Sequence, residues 1–253
     1  MPANLTDLVS YLDGKLSPEM FRDYCPNGLQ IEGKSEINKI VSGVTASQAL
    51  IDEAIAQKAD LILVHHGFFW KGEDECIKGM KRKRIKALLD HDISLIAYHL
   101  PLDAHPELGN NARLAQLLGI SVTGGLEPEN PRSIGNIGCL DEAMSVAEFS
   151  QLLASKLGRQ PLSIAGGQHK IKTVAWCTGG AQGYIDKAHL LGVDAYVSGE
   201  VSEQTYHSAI ENGIHYFAAG HHATERYGVQ AVGKDLALQF GLQHQYVEID
   251  NPV

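Results

Sequence analysis

Apolar positions from Ile40 to His66 group into a short strand, a turn of small residues, an amphipathic helix carrying Ala49, Leu50 and Ile55, and a second strand at Leu61 to Val64. The same series returns from Val174 to Glu200. Shifted by 134 positions, the two segments coincide at Gln48 and Gln182, Ile51 and Ile185, Asp52 and Asp186, Ala54 and Ala188, and Asp60 and Asp194, and His66 falls on Glu200. Each segment continues through a helix into a third apolar strand, Ile93 to Tyr98 and Ile214 to Ala219. This pattern predicts an α/β fold of two related βαβ-type halves produced by internal duplication, with largely parallel sheets and right-handed crossovers. The expected organisation is a first half with an N-terminal helix over residues 1–126, a connecting subregion over 127–170 and a second half over 171–253. The middle stretch is richer in Gly and Pro, with one helical segment from Val146 to Leu157.

In such sheets, chemistry gathers at the carboxyl ends of the strands. The strand Leu61 to Val64 ends in His65, His66 and Gly67. Neighbouring side chains within a strand point to opposite faces, so a histidine pair suits metal binding only where the pleat ends and both rings can splay toward ions. Alone, the pair reads equally well as one buried and one exposed histidine. Two further strand ends change that reading. After Tyr98 come His99 and, four residues on, Asp103; after Gly220 come His221 and Glu225, whose spacing places both on one face of a helix start. His65, His66, Asp103, His221 and Glu225 are therefore the candidate metal ligands, in a cleft expected between the halves. Five ligands exceed a mononuclear catalytic zinc site, and the mixed nitrogen and oxygen set suits two divalent ions of zinc, iron or manganese, with Glu225 as the bridge. A metal pair that activates water points to hydrolysis. Glu200 and His99 are the candidate acid–base residues, with structural roles as the competing reading.

The remaining features narrow the class. The chain of 253 residues has a formal net charge of -9, which argues against bulk phosphate-backbone binding. One basic run, Lys78 to Lys86, reads first as a solvated helix face. Cys25, Cys76, Cys139 and Cys177 form no Cys-x-x-Cys pair and suggest neither disulfides nor a structural zinc. No apolar run reaches the length of a membrane span and no secretory signal is evident, so a cytoplasmic protein with no membrane partner is expected. Thr178 to Gly183 opens a helix after a strand, where backbone amides can take phosphate, but it matches no complete nucleotide fingerprint. Phe68, Phe69 and Trp70 offer a stacking surface for a purine or, more simply, packing.

The stretches Val64 to Gly67, His99 to Asp103, Asp194 to Glu200 and Gly220 to Glu225, with Asn27 to Gln30 near the start, resemble the signatures of the NIF-three-like dinuclear metal family, in its YbgI-like branch. Its members carry the label GTP cyclohydrolase I type 2 homologue. The resemblance covers nearly the whole chain. It implies a two-half α/β fold, a metal pair held at the positions matching His65, His66, Asp103, His221 and Glu225, and assembly as a homohexameric ring. The function expected is metal-dependent hydrolysis of a small nucleotide-like substrate. The alternative is a non-enzymatic metal-handling or metal-insertion chaperone, or a ring that binds a partner.

Overall fold

A computed structural model of the chain describes residues 2–253, which divide into two compact units. Unit 1 takes the chain up to Leu102 and regains it for Gly228–Asp250; unit 2 holds Asp103–Tyr227 and Asn251–Val253.

Unit 1 opens with a two-residue strand β1 (Ala3–Asn4) and helix α1 (Leu5–Leu16). The Asn4 side chain caps α1 by accepting from the Thr6 amide, and Leu5, Leu8, Leu12 and Leu16 recur at helical spacing and are buried. There follow β2 (Gly28–Ile31), β3 (Glu36–Ile37), β4 (Lys39–Thr45), α2 (Gln48–Ala56), β5 (Leu61–His66), α3 (Gly79–Asp90) and β6 (Ser94–Ala97). The short α4 (Leu100–Ala104) carries the chain across the division between units. In unit 2 come α5 (Asn110–Leu118), β7 (Ser121–Gly125), β8 (Asn136–Met144), α6 (Val146–Leu157), β9 (Leu162–Ile164), β10 (Ile171–Cys177), α7 (Ile185–Leu190), β11 (Ala195–Ser198), α8 (Glu203–Asn212) and β12 (His215–Ala218). Helix α9 (His221–Phe240) starts in unit 2 and ends in unit 1, where β13 (Gln243–Tyr246) follows.

The sheet of unit 1 has the order β13-β4-β5-β6-β2, parallel except for β2. That of unit 2 has the order β7-β8-β10-β11-β12-β9, with a parallel centre β10-β11-β12 and antiparallel strands outside it. The central registers repeat: Ile40 faces Leu61 and Gly43 faces Val64 in unit 1, while Val174 faces Ala195 and Cys177 faces Ser198 in unit 2. The matched aspartates repeat as well. Asp60 Oδ2 accepts from the Asn38 and Lys39 amides at 2.7 and 3.0 Å, and Asp194 Oδ2 from the Lys172 and Thr173 amides at 2.9 and 2.7 Å. Each carboxylate thus ties the start of one strand to the start of its neighbour. Both carboxyls are held below their ordinary range: burial opposes ionisation, but the Lys34 ammonium and then the Asn38 and Lys39 amides outweigh it at Asp60, and the Thr173 and Lys172 amides at Asp194.

Cores form on the sheets by alternation along the strands. In unit 2, Val174 and Trp176 of β10 face a cluster with Leu114, Phe149, Leu153 and Phe217, whereas Ala175 and Cys177 face one with Ile185, Ala188, Tyr196 and Tyr216. In unit 1, α2 and α3 bury Leu50, Ile51, Ile85 and Leu88 on Val41, Ile62, Val64 and Leu95.

The expected organisation needs correction at three points. Residues 127–170 are not a connector, because β8, α6 and β9 complete the second sheet and its core. The first unit also ends at Leu102 and not at residue 126, since α5 commits Leu114, Ala115 and Leu118 to the core of unit 2. Conversely, β13 belongs to the first sheet, at the edge of β4. Among the described residues, no helix is long and apolar enough to cross a membrane.

Candidate metal centre

Strand β5 is buried along Leu61–His65, so the fold carries two imidazoles to the carboxyl end of a central parallel strand. His65 and His66 end the strand with ring centroids 4.6 Å apart and an interplanar angle of 46°, so the two rings lie close together at the strand end. His99, just beyond β6, lies with its ring centroid 5.0 Å from that of His65. The three residues offer ring nitrogens within 4.8 Å of one another.

What holds them is the motif near the N-terminus. Gln30 reaches over the turn after His66: its Oε1 accepts from the Phe68 amide at 2.7 Å, and its Nε2 donates to Pro26 O and Phe68 O. A Cβ on Gly67 would stand 2.2 Å from Gln30 Oε1 and 2.7 Å from Ala97 Cβ, so a larger residue there would displace this contact. Asn27 Oδ1 accepts from the His99 amide at 2.7 Å, and Asp23 accepts from the His99 ring, the Leu100 amide and the Asn27 side chain.

In unit 2, Asp103 is buried, and its Oδ1 accepts from Asn110 Nδ2 at 2.9 Å and Thr178 Oγ1 at 3.2 Å. His221 and Glu225 occupy the first turns of α9, with His221 Nε2 and Glu225 Oε2 3.1 Å apart. Glu200, after β11, meets His221 Nδ1 at 2.7 Å. Glu225 is buried beneath Gly179, at φ 70°, where a Cβ would come within 2.0 Å of Glu225 Oε1 and 3.2 Å of His221 Nε2. Glycine is therefore the residue that lets this carboxylate occupy its place.

The imidazoles share one feature. His65 Nδ1 meets Tyr98 O at 2.9 Å, His66 Nδ1 meets Thr45 Oγ1 at 3.1 Å, His99 Nδ1 meets Asp23 and His221 Nδ1 meets Glu200. A carbonyl or carboxylate only accepts, so in His65, His99 and His221 Nδ1 carries a proton; in His65 and His99 this leaves Nε2 as the ligating or basic nitrogen, whereas His221 Nε2 also faces a carboxylate, Glu225, and would give up its proton to a metal. This is the outer hydrogen bond that orients metal-ligating histidines.

Charge has the same sense. Asp103 and Glu225 bring carboxylate oxygens within 4.8 Å of each other in the interior of unit 2. With both ionised, an effective dielectric constant near 20 makes that repulsion about 3.5 kcal/mol, which a bound cation would reverse. Burial of His221 disfavours its charged form, yet Glu225 and Glu200 more than offset this and raise it to about 9. Burial likewise opposes ionisation of Asp23, but the His99, Asn27 and Tyr24 donors win and lower it to about 2. Cys25 also lies within reach of Asp23 and His99; burial, then the charge of Asp23, pushes its thiol up to about 12, so it stays protonated.

Sequence reasoning missed Asp23, Asn110, Asn111, Thr45 and the carbonyl of Tyr98. The phosphate reading of Thr178 to Gly183 fails on local geometry. The amides of Thr178, Gly179 and Ala181 donate to Asn111, Thr224 and Ser198, and the α-helix that follows has only six residues. Phe68 is core, with Phe69 packed against that core, whereas the Trp70 ring stands 5.0 Å from His99 and 5.9 Å from His66. The basic run is largely a solvated face: Lys78 pairs with Asp74, Lys81 with Glu73 and Lys86 with Asp90, and only Ile85 and Leu88 of α3 are buried. His207 is exposed on α8, and the His222 amide donates to Val253 O.

Fold and residues together define an α/β protein whose strand ends carry candidate metal-ligating imidazoles and carboxylates. The chain belongs to the Duf34/NIF3 (NGG1p interacting factor 3) family, whose sequence model matches residues 3–252. It is 58% identical over 252 residues to a Pseudomonas aeruginosa protein called GTP cyclohydrolase 1 type 2 homolog, covering 100% of both chains. Among solved structures it is similar to protein ybgI, described as of unknown function, with a TM-score of 0.95 and 51% identity over 99% of this chain and 100% of that one. It is also similar to TTHA1606 from Thermus thermophilus, with a TM-score of 0.88 and 32% identity over 99% and 100% of the two chains.

Proposed function

We propose that this protein binds two divalent metal ions through His65, His66, Asp103, His221 and Glu225 and uses them to hydrolyse a small nucleotide-like substrate, in keeping with the name GTP cyclohydrolase 1 type 2 homolog borne by its relatives. The observation that carries the reading is that each imidazole has its Nδ1 engaged in a hydrogen bond, to a carbonyl or carboxylate acceptor in His65, His99 and His221 and to the Thr45 hydroxyl in His66. The donor chemistry fits the group: imidazole nitrogen and carboxylate oxygen suit zinc, iron or manganese, and Gly179 leaves open the space that the Glu225 carboxylate occupies, from which it would hold the metal. A pair of such ions supplies Lewis acidity toward water and toward a carbonyl, imine or phosphoryl oxygen. The chain's own residues supply the rest. Glu200 orients His221, while His99 offers a basic nitrogen and Trp70 a flat ring beside it.

The test is turnover on GTP and a panel of nucleotides by wild type and His66→Ala, each assayed with added zinc, manganese or iron. Metal-dependent release by wild type, lost in His66→Ala, supports the hydrolase. Two bound ions with no turnover favour the second reading, a metal-handling protein, which the same donor set supports. Homohexameric assembly and a cytoplasmic location belong to the proposal too; native mass measurement checks the first and cell fractionation the second.

A further inference from the structure

Asp23 is not among the proposed metal ligands, yet it is held more firmly than its place in an irregular segment suggests. Its side chain is buried. Oδ1 accepts from the Tyr24 amide and from His99 Nδ1, both at 2.6 Å, and Oδ2 accepts from Asn27 Nδ2 and the Leu100 amide, both at 2.9 Å. Three of these donors are amides that cannot give up a proton, so the carboxylate is already satisfied as an anion, and the proton shared with the imidazole resides on Nδ1. Asn27 fixes the other end of the same residue by accepting from the His99 amide at 2.7 Å. Ring and backbone of His99 are thus clamped by two side chains from one short segment, 72 to 76 positions away in sequence.

With Nδ1 committed to Asp23, Nε2 is the nitrogen left for the cluster in which His65, His66 and His99 offer ring nitrogens within 4.8 Å. The walls of that place are aromatic. The Trp70 ring stands edge-on to His99 at 5.0 Å and the Tyr24 ring at 6.3 Å. Trp70 is itself tied down, its Nε1 donating to Gly67 O at 3.2 Å. An imidazole whose Nδ1–H is donated to a buried carboxylate is the arrangement that gives Nε2 a fixed direction, as in carboxylate–histidine pairs on unrelated folds.

We propose that Asp23 is a positioning residue: it fixes His99 in the tautomer whose Nε2 carries the lone pair, so that His99 takes a proton from water or a hydroxyl group held beside His65 and His66. The step is a proton transfer only. The O–H bond breaks, its electron pair stays on oxygen, and a new N–H bond forms at Nε2, with the resulting imidazolium balanced by the Asp23 carboxylate. The proton-accepting role rests on the metal reading above; the fixing of the tautomer does not.

The experiment is long-range proton–nitrogen correlation spectroscopy of the histidine rings in the full chain at pH 8, metal-free and after zinc addition. Wild type is expected to show His99 as Nδ1–H, with the lone pair on Nε2. Asp23→Ala should lose that preference and show mixed or Nε2–H signals, whereas Asn27→Ala, which frees the backbone but keeps the carboxylate, should retain it. A wild-type His99 that is Nε2–H or doubly protonated overturns the proposal whatever the variants do, and so does a folded Asp23→Ala that keeps Nδ1–H. Zinc should move the His65 and His66 nitrogens. Their failure to respond would remove the metal reading, and with it the proton-accepting role, while the tautomer result stands or falls separately on the metal-free spectra.

Discussion

Gly179→Ala is the substitution whose consequence the geometry specifies most tightly. The added Cβ would lie 2.0 Å from Glu225 Oε1, 2.9 Å from Glu225 Cδ and 3.2 Å from His221 Nε2. Restoring an ordinary carbon–oxygen separation of roughly 3.2 to 3.5 Å forces the carboxylate back by about 1 Å or more. Metal–ligand distances tolerate about 0.2 Å, so Glu225 would be lost as a ligand, with zinc affinity falling on the order of 100-fold or more. The fold should suffer less. Alanine at φ 70° costs roughly 1 to 2 kcal/mol, which for a chain of this size is a fall in Tm of about 2 to 4 °C. Competition for zinc against a chromophoric chelator, with a thermal melt of the metal-free protein, reads both quantities. Gly183→Ala is the control, because a Cβ there meets nothing within 4 Å. A Gly179→Ala protein that binds zinc within about threefold of wild type would refute the reasoning, since ~0.6 kcal/mol is too little for a displaced ligand.

Other outcomes follow from the same contacts. His221, held protonated up to about 9, must lose a proton when a metal takes its Nε2, so zinc affinity should weaken by about tenfold per pH unit from pH 8 to pH 6, and calorimetry in buffers of different ionisation enthalpy should count at least one proton released. Asp60→Ala and Asp194→Ala each strand two strand-start amides, and each should cost about 1 to 3 kcal/mol in chemical denaturation; a loss at one position without the other would contradict the structural repeat. Burial, with a smaller contribution from Lys234, lowers His244 to about 4, and its Nε2 meets Ser42 Oγ at 2.8 Å. A depressed histidine favours the folded state only while neutral, so its stabilisation is complete above about pH 6.5 and lost as pH falls toward 4. Discounted for partial exposure, the loss is about 1 to 2 kcal/mol, and His244→Gln should flatten this part of the stability profile.

The sequence disclosed those parts of the fold that depend on local order. Strand β5 is a run of branched aliphatic residues, Leu61 to Val64, closed by His65, His66 and Gly67, and a buried parallel strand needs nothing more to be visible. The 134-residue offset was legible because Asp60 and Asp194 perform the same local task, each tying two strand starts together. Distant pairings were not legible. Strands β8 and β9 sit in a Gly- and Pro-rich stretch with irregular alternation, and it is their partners β10 and β12 that make them strands. Strand β13, with every other residue exposed, could have paired with either sheet edge. At the site, ligand types showed at strand ends, whereas Asp23 lies in an irregular segment with no periodicity and gains meaning only from its contact with His99. Asn110 and Asn111 look like ordinary helix-start residues until Asp103 and Thr178 are placed beside them.

The central claim is that this chain carries two divalent ions, and elemental analysis of protein purified without chelator, alongside Glu225→Gln, tests it most directly. Near two equivalents of zinc, iron or manganese per chain in wild type, with a loss of at least one in the variant, is the result predicted. Wild-type protein without bound metal, and without uptake on dialysis against micromolar zinc, would contradict the account.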